Sequence, residues 1–536
     1  MKQKKGFTLI ELLAVIVILA VIALIATPII MEVINKAKKG AFQDSVYGIV
    51  HAAELYYAQS MSATTNPEAK LFSFPDDTEL VFQGDRPTSG TVEVDEKGAI
   101  SLALGNGTWC AKKTANSDQV EFTDYTTDNC KILVTTPESC FTFADGSIIK
   151  YTCPAIKDVV IPKTIGGEIV TEIGRSAFES VGITSVVLPN SLTNIGEYSF
   201  RSNQLTNVEL PDNITKIQGS AFAYNPITTI KLPSQLKSIG YLAFQGCSIE
   251  SIDFPEGITD LGRSSFVSNN LVTLKIPSSV TTIPEGTFSY NKLTSVTIPA
   301  TVKTIQDSAF FYSKLTSIDI PDTVTSIGKD SFSWNKLTSV HIGKGITTIP
   351  ETAFEKNLLT SVVIPSTVES IGAQAFGNNK LTTVQFEFGV KTIGYGSFEE
   401  NQLASVDLPD SVTSVSSTAF WKNKIATLKI SKNMTMITSS SFYQNAIKNL
   451  VIPDNITTIK DHAFTQNELE TVIIGTGVTS IEASAFFKSS SSGWNNKLSK
   501  IINRSGRSFD WGSIIGNTSG ESSVTGTFKG VEVTTE

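Results

Sequence analysis

Few side chains in this sequence are suited to catalysis or metal binding. Its 536 residues include only three histidines, His51, His341 and His462, which leaves little material for imidazole-based catalysis or a multi-histidine metal site. The sequence contains no glycine-rich phosphate loop, no HExxH motif and no serine–histidine–acid arrangement. We therefore expect a protein that is not an enzyme and that uses no catalytic residue, cofactor or metal.

Four of the five cysteines, Cys110, Cys130, Cys140 and Cys153, lie close together in the chain. Such clustering is typical of disulfide bonds in a small exported domain. Four cysteines allow three pairings, and we favour Cys110 with Cys130 and Cys140 with Cys153 because these pairs close the shortest loops. Metal ligation by all four is the alternative, and the lack of a CxxC spacing counts against it.

Glu11 is chemically unusual because it lies within a long apolar segment. The chain begins with a head containing three lysines, and Leu12 to Met31 form a run of 20 residues without a charge. As a helix this run is about 30 Å long, enough to cross a bilayer with the lysines on the cytoplasmic side. A carboxylate in such a segment costs several kcal/mol unless it finds a partner, and the segment itself offers none.

The run GFTLIELL, from Gly6 to Leu13, resembles the prepilin signal of type IV pilins and pseudopilins. The resemblance implies cleavage by a prepilin peptidase between Gly6 and Phe7, with N-methylation of the new terminal phenylalanine. It also implies that Glu11 meets the terminal amine of a neighbouring pilin subunit during assembly, and that Pro28 lies where the family's helix is often kinked. An uncleaved membrane anchor is the alternative interpretation.

The segment after the apolar run predicts a stalk helix and a small domain. Apolar residues keep helical spacing to about residue 58, so we expect a leader of residues 1–6 and a pilin-like transmembrane and stalk helix over residues 7–58. Residues 59–153 place prolines and glycines between short β-like runs, which predicts a strand-containing domain that holds the four cysteines. The apolar face of the stalk is expected to pack on this domain.

Phenylalanine recurs every 22 residues through fifteen copies, from Phe178 to Phe486. An aliphatic residue precedes each one by five positions, from Ile173 to Ile481. A fixed period of this length with L-x-x-L-x-L spacing is typical of leucine-rich repeats, in which each coil adds a short strand and stacks its apolar residues inside. Fifteen coils spaced about 4.8 Å apart make a rod of roughly 70 Å.

The repeat has the form LPxxLxxIxxxAF and resembles the BspA-like (Treponema-type) leucine-rich repeats of microbial surface proteins, most of which are associated with adhesion. The resemblance implies a solenoid over residues 154–502 and a C-terminal cap over 503–536, with an insertion, KSSSSGWNN, in the last unit. The predicted fold is thus α+β: a long N-terminal pilin-like α-helix, a small disulfide-containing strand-rich domain, and a parallel β-solenoid of about fifteen coils.

Asparagine recurs three residues after most of the repeated phenylalanines, at the turn of each coil. Its amide is expected to satisfy backbone groups of adjacent coils. Cys247 takes this same position, which leucine-rich repeats fill with asparagine or cysteine. We therefore expect Cys247 to be a buried, unreactive thiol.

The strongest candidate for a ligand-binding surface is a stripe of aromatic residues. Tyr290, Tyr312 and Trp334 hold the same position in three consecutive coils. A lysine follows each of them by two residues, at Lys292, Lys314 and Lys336. Such rings are suited to stacking on sugar faces or burying area at a protein contact, with lysines offering donors to acidic groups. The alternative is that the rings merely cover the edge of the core.

The expected function is that of a type IV pilin-like subunit, minor or tip-located, that carries its repeat module for adhesion to an unknown surface protein or glycan. We expect insertion into the cytoplasmic membrane by a single N-terminal helix with the bulk extracytoplasmic, then a place at the cell surface or in a pilus. The alternative is a pseudopilin of a secretion or DNA-uptake machine whose solenoid binds cargo. A net charge of −8 and a pI near 5.3 count against nucleic acid as a partner.

Overall fold

A computed structural model of the chain describes residues 9–63, 68–115, 117–125, 130, 135–487, 497–516 and 522–535, without the side chains of 9–29 and 63. Gly6, Phe7 and the insertion at 488–496 therefore lie outside the described residues, as do the side chains of Glu11 and Pro28. The chain forms two compact units, one of Met1–Glu138 with Asp158–Lys163, the other of Ser139–Lys157 with Thr164–Glu536.

The first unit combines one long helix with an antiparallel sheet. Helix α1 spans Leu9–Ala63, so it extends beyond the predicted end near residue 58. The sheet consists of β1 Lys70–Phe74, β2 Ser89–Val94, β3 Ile100–Gly105, β4 Trp109–Lys113 and β5 Glu121–Asp124, arranged in chain order. A further strand, Asp158–Val160, belongs to the same unit. Within the described part of the chain, no helix is both long enough and apolar enough to cross a membrane.

The core of the first unit lies between the second half of α1 and one face of the sheet. Val46, Ile49 and Ala53, which share one face of the helix by their three- and four-residue spacing, are completely buried. Phe72 on β1 is also fully buried and meets the ring of Tyr56 edge-on, with centroids 5.0 Å apart. The amphipathic stalk thus packs on the strand-containing domain.

The second unit is a parallel solenoid with two rows of strands. The strands of the short row have two residues each: Glu172–Ile173, Asn194–Ile195, Lys216–Ile217, Ser238–Ile239, Asp260–Leu261, Thr282–Ile283, Thr304–Ile305, Ser326–Ile327, Thr348–Ile349, Ser370–Ile371, Thr392–Ile393, Ser414–Val415, Met436–Ile437, Thr458–Ile459 and Ser480–Ile481. Those of the long row have three or four: Ser185–Val187, Asn207–Glu209, Thr229–Lys231, Thr273–Lys275, Ser295–Thr297, Ser317–Asp319, Ser339–His341, Ser361–Ile364, Thr383–Phe386, Ser405–Asp407, Thr427–Lys429, Asn449–Val451, Thr471–Ile474 and Lys500–Asn503. The predicted helix, strand domain and parallel β-solenoid are confirmed.

A β-hairpin closes the N-terminal end of the short row. Strand β6, Phe141–Ala144, follows a 3-10 turn at Glu138–Cys140 and pairs antiparallel with β7, Ser147–Tyr151. Strand β7 then pairs in parallel with the first short-row strand. We expected the small domain to extend to residue 153, but this pairing places residues 139–157 in the solenoid unit.

Short elements close the C-terminal end. Val531–Thr534 pairs in parallel with the last long-row strand and antiparallel with Gly526–Phe528. Phe509–Asp510 pairs with Ser522–Ser523, and helix α2 spans Trp511–Ile515. Trp511 is fully buried and its indole N–H donates to the carbonyl of Ser523 at 2.8 Å. Near the other end, Thr164–Ile165 and Glu168–Ile169 form a small antiparallel pair.

The repeated phenylalanines form one continuous stack through the solenoid. Consecutive rings from Phe178 to Phe486 have centroids 5.0 to 5.9 Å apart and interplanar angles of 2° to 18°. Every one of these side chains is completely buried. Because each ring contacts the ring above and below, no coil buries its phenylalanine alone.

The asparagine amides connect each coil to its neighbour. Asn335 is 3% exposed, and its Nδ2 donates to the carbonyls of Phe332 in its own coil at 3.1 Å and Phe310 in the preceding coil at 2.9 Å. Its Oδ1 accepts from the N–H of Leu315 at 3.0 Å. One side chain therefore satisfies backbone groups of two coils that water does not reach.

We predict that Asn335→Ala lowers the free energy of unfolding by about 2 to 4 kcal/mol, because it leaves buried carbonyls and an N–H without partners. Asn335→Ser is expected to cost less, since Ser313 fills this position in the preceding coil with its hydroxyl 3.5 Å from the carbonyl of Phe288. Denaturant unfolding followed by circular dichroism measures both changes. Equal stability of Asn335→Ala and the unmodified chain would contradict the prediction.

Candidate functional site

Tyr290, Tyr312 and Trp334, here called the aromatic row, lie on three successive coils of the solenoid. Each follows a stacked phenylalanine by two residues, so the 22-residue period brings them side by side. Their ring centroids are 5.4 and 5.9 Å apart. The side chains are 50%, 51% and 44% exposed, which makes the row a large aromatic surface on an otherwise polar turn.

The backbone at these positions is left-handed. The φ angles of Tyr290, Tyr312 and Trp334 are 54°, 51° and 56°, a conformation that costs a non-glycine residue roughly 1–2 kcal/mol. This geometry points the N–H along the solenoid axis, where that of Tyr312 donates to the carbonyl of Ser333 in the next coil at 3.1 Å. The inter-coil hydrogen bonds offset the conformational cost and hold the rings in register.

The rings of the aromatic row stack on one another. Two rings lying side by side in one plane cannot approach to 5.4 Å, and the interplanar angles of 32° and 38° fit tilted, offset stacking. Phe311 meets the ring of Tyr290 edge-on at 5.4 Å. The faces of the rings are therefore partly covered within the row, and about half of each side chain stays exposed.

Lys356 continues the row in the fourth coil. Its Nζ lies 4.2 Å from the centroid of the Trp334 ring, a close cation–π contact, and 3.4 Å from a carboxylate oxygen of Glu355. Sequence reasoning missed both Lys356 and Phe311, although Lys356 follows Trp334 by one period of 22 residues. The period alone was a sufficient signal for Lys356, because the same position recurs in every coil.

The lysines that follow the rings, Lys292, Lys314 and Lys336, are here called the lysine row. All three are exposed, and none of them forms an ion pair with any residue that the structure describes. Other lysines of the solenoid pair with an acidic residue one coil away: Lys329 with Glu351, Lys391 with Glu369, Lys422 with Glu400, Lys429 with Asp407 and Lys460 with Glu482. The lysine row thus presents positive charge that the neighbouring coils leave unneutralised.

Comparison with known families identifies the N-terminal segment and the repeat region of the chain. A family model described as "BspA type Leucine rich repeat region (6 copies)" matches residues 147–272, 259–382 and 369–492, which together make up more than half of the chain. The chain belongs to the BspA type leucine-rich repeat family. A second model, the prokaryotic N-terminal methylation motif, matches residues 1–27. The predicted combination of a prepilin-type signal with BspA type repeats is therefore confirmed.

Solved structures with the same kind of repeat come from several bacteria. A leucine-rich repeat protein of Bacteroides ovatus is 22% identical, with a TM-score of 0.47, over 68% of this chain and 92% of its own. A leucine-rich cell surface protein of Faecalibacterium prausnitzii is 26% identical, with a TM-score of 0.36, over 78% of this chain and 98% of its own. A comparison with curated proteins gave no match.

The structure pairs Cys110 with Cys130 and Cys140 with Cys153. The first disulfide lies in the unit of α1 and β1–β5, and the second joins the two ends of the hairpin that closes the BspA type solenoid. Neither lies near the aromatic row in the chain. Among the described residues, no group of three histidine, cysteine, aspartate or glutamate side chains is placed to hold a metal.

Cys247 occupies the asparagine position and is buried, with its Sγ donating to the carbonyl of Phe222 at 3.3 Å. Burial is the main cause that raises the pKa of this thiol to about 12. Because the thiolate is the reactive form, Cys247 is unsuited to nucleophilic or redox chemistry at neutral pH. Its place in the BspA type repeat is that of a structural hydrogen-bond donor.

A second aromatic cluster lies in the first coils of the solenoid. The guanidinium of Arg201 is 5.5 Å from the ring of Tyr198 and 5.6 Å from that of Tyr224. The arginine also pairs with Glu179 at 3.4 Å, and Arg175 pairs with Glu197 at 2.6 Å. Unlike the lysine row, these cations are neutralised within the cluster, which therefore stabilises the coils rather than offering free charge.

We predict that Tyr312→Gly is more stable than Tyr312→Ala by about 1 kcal/mol, because glycine adopts the left-handed backbone without a Cβ clash. Gly246 fills the same repeat position with a φ of 62°. The matched pair Lys303→Gly and Lys303→Ala, at a position without a positive φ, is expected to show the opposite order. Denaturant unfolding of the four variants measures this, and the same order at both positions would refute the assignment of backbone strain.

Proposed function

We propose that this chain is a pilin-like subunit that displays a BspA type solenoid at the cell surface as an adhesive module. Processing between Gly6 and Phe7, with Glu11 and Pro28 acting in assembly, would place α1 among other pilin helices. The observation that carries the proposal is the presence, in one chain, of the N-terminal methylation motif and a repeat solenoid with a stacked aromatic row. Solenoids of this kind present extended surfaces that proteins use for binding.

The aromatic row supports a binding role because the core does not need it. At the same repeat position Ser202, Gly246 and Ser268 replace an aromatic residue, yet the stacked phenylalanines of those coils are as completely buried as those beneath the aromatic row. Covering the edge of the core therefore does not explain the rings. Half-exposed tyrosine and tryptophan are the residue types that most often dominate binding energy at interfaces.

The size of the solenoid favours a minor or tip-located subunit. About fifteen coils at about 4.8 Å each make a module roughly 70 Å long. A module of this length is difficult to accommodate in every subunit of a densely packed filament. At the tip or as a sparse subunit, the same module has free access to a protein or glycan on another surface.

We predict that the membrane-extracted protein, produced with its cognate prepilin peptidase, begins at Phe7 and carries one added methyl group. Intact mass measurement decides this directly. The matched variant Gly6→Leu is expected to keep the full-length mass, because the peptidase cuts after the glycine. A full-length mass of the unmodified protein would remove the pilin pathway from the proposal and leave a membrane-tethered repeat protein.

We predict that Trp334→Ala combined with Tyr312→Gly reduces adhesion of cells that display the protein by roughly 30-fold or more, since truncating one interface anchor often costs about 2 kcal/mol. Adhesion to host or microbial surfaces is measured as retained cells under flow. Tyr224→Ala is the control: it removes an equally exposed ring from the same repeat position but outside the row. Equal loss in both variants, with equal display, would refute a specific role of the row.

A further inference from the structure

The geometry of the aromatic row disfavours the usual way in which aromatic residues hold neutral sugars. That mode requires a ring face open to the sugar. Here the middle ring, Tyr312, has Tyr290 at 5.4 Å on one side and Trp334 at 5.9 Å on the other, and the far face of Trp334 is covered by Lys356 at 4.2 Å. Neighbouring groups thus cover part of the ring faces, while about half of each side chain stays exposed, including ring edges, which carry the positive end of the aromatic quadrupole.

The exposed charges beside the aromatic row are also positive. The lysine row places one exposed ammonium group on each of the three coils, two residues after each ring. Within the described residues none of the three has an acidic partner, whereas Lys329, in the same part of the solenoid, pairs with Glu351 at 3.0 Å. In a chain with a net charge of −8, a stripe of unneutralised lysines favours an anionic ligand.

The spacing of the aromatic row and the lysine row along the solenoid axis favours a polysaccharide over a peptide as the ligand. In an extended peptide, side chains on the same face are about 6.7 Å apart, whereas neighbouring ring centroids of the aromatic row are 5.4 and 5.9 Å apart, so a peptide along the axis falls about 2 Å out of register over the three coils. A 1,4-linked pyranose unit advances its chain by a length close to the rise of one coil. An acidic polysaccharide thus keeps one sugar opposite each ring, and because successive sugars are turned about the chain axis, only some of their carboxylates face the lysine row.

We propose that the aromatic row and the lysine row together bind an acidic polysaccharide that lies parallel to the solenoid axis. The proposal rests on the binding role proposed above and names the chemistry of the ligand. Lysine ammonium groups pair with those uronate carboxylates that face the lysine row, and tyrosine hydroxyls donate to ring and hydroxyl oxygens. Lys356 is a positioning residue: it holds the Trp334 ring in place and is itself neutralised by Glu355 at 3.4 Å.

The test uses the full-length protein in detergent with polygalacturonate as the probe, by biolayer interferometry. Its fully methyl-esterified form is the matched neutral polymer, and poly-L-glutamate is the matched acidic peptide. We expect polygalacturonate to bind at least tenfold more tightly than either, with an affinity that falls as salt concentration rises. Comparable binding of the methyl ester would overturn the proposal in favour of neutral-sugar recognition, and tighter binding of poly-L-glutamate in favour of an acidic peptide.

Two triple variants distinguish the effect of the lysine row from the effect of the overall charge of the protein. Replacing Lys292, Lys314 and Lys336 by glutamine is expected to weaken polygalacturonate binding at least tenfold and to make its salt dependence shallower. Replacing Lys329, Lys391 and Lys460 by glutamine changes the net charge equally but removes lysines that are ion-paired, and is expected to change binding less than twofold. Equal loss in both triple variants would overturn the assignment of the site.

Different results would contradict the proposed adhesive function and the proposed acidic polysaccharide ligand. If no polygalacturonate binds, but adhesion still depends on Trp334 and Tyr312, the adhesive function stands and the acidic polysaccharide is wrong. If adhesion does not depend on the aromatic row and polygalacturonate does not bind, both are wrong. Thermal unfolding of each variant verifies that loss of binding is not loss of fold.

Discussion

The register between coils is the constraint on which everything else in the solenoid depends. Stacked phenylalanines supply the apolar contact, but a column of rings alone would permit one coil to slide or rotate on the next. The asparagine amides remove that freedom, because the amide of Asn335 bonds to Phe310 and Phe332 at once. A surface position repeated every 22 residues therefore becomes a continuous stripe, and a side chain in one coil has fixed neighbours in the next.

The left-handed positions contribute to the stability of the solenoid through their backbone and to its surface chemistry through their side chains. The backbone there is set by inter-coil hydrogen bonds, so the side chain is left to point into solvent, and serine, glycine, glutamine, lysine and tyrosine all occur at this position. A second left-handed position of the repeat accepts even β-branched threonine, at Thr352 with a φ of 57° and at Thr418 with a φ of 56°. Neither the packing of the core nor the backbone conformation therefore requires a bulky aromatic residue at this position in three consecutive coils.

The period of the sequence was enough to predict the stacked core, one of the two strand rows and the adjacency of Tyr290, Tyr312 and Trp334, because all of these follow from repetition. It was not enough to predict how the rings meet, since the tilt of 32° between Tyr290 and Tyr312 depends on side-chain torsions. The hairpin β6–β7 was also missed as part of the solenoid. Its residues depart from the 22-residue spacing, and its assignment rests on backbone pairing with the first short-row strand and on the family match, which begins at residue 147.

The lysine row carries an electrostatic cost that the fold itself does not offset. Like charges directly opposite on neighbouring strands are destabilising, and many other charged residues of the solenoid pair with the opposite sign, as in Asp407 beside Lys429 at 2.8 Å. Three successive unpaired lysines forgo that stabilisation. The solenoid thus pairs opposite charges along one stripe and repeats one charge along another, and the proposed acidic polysaccharide would supply the missing countercharge.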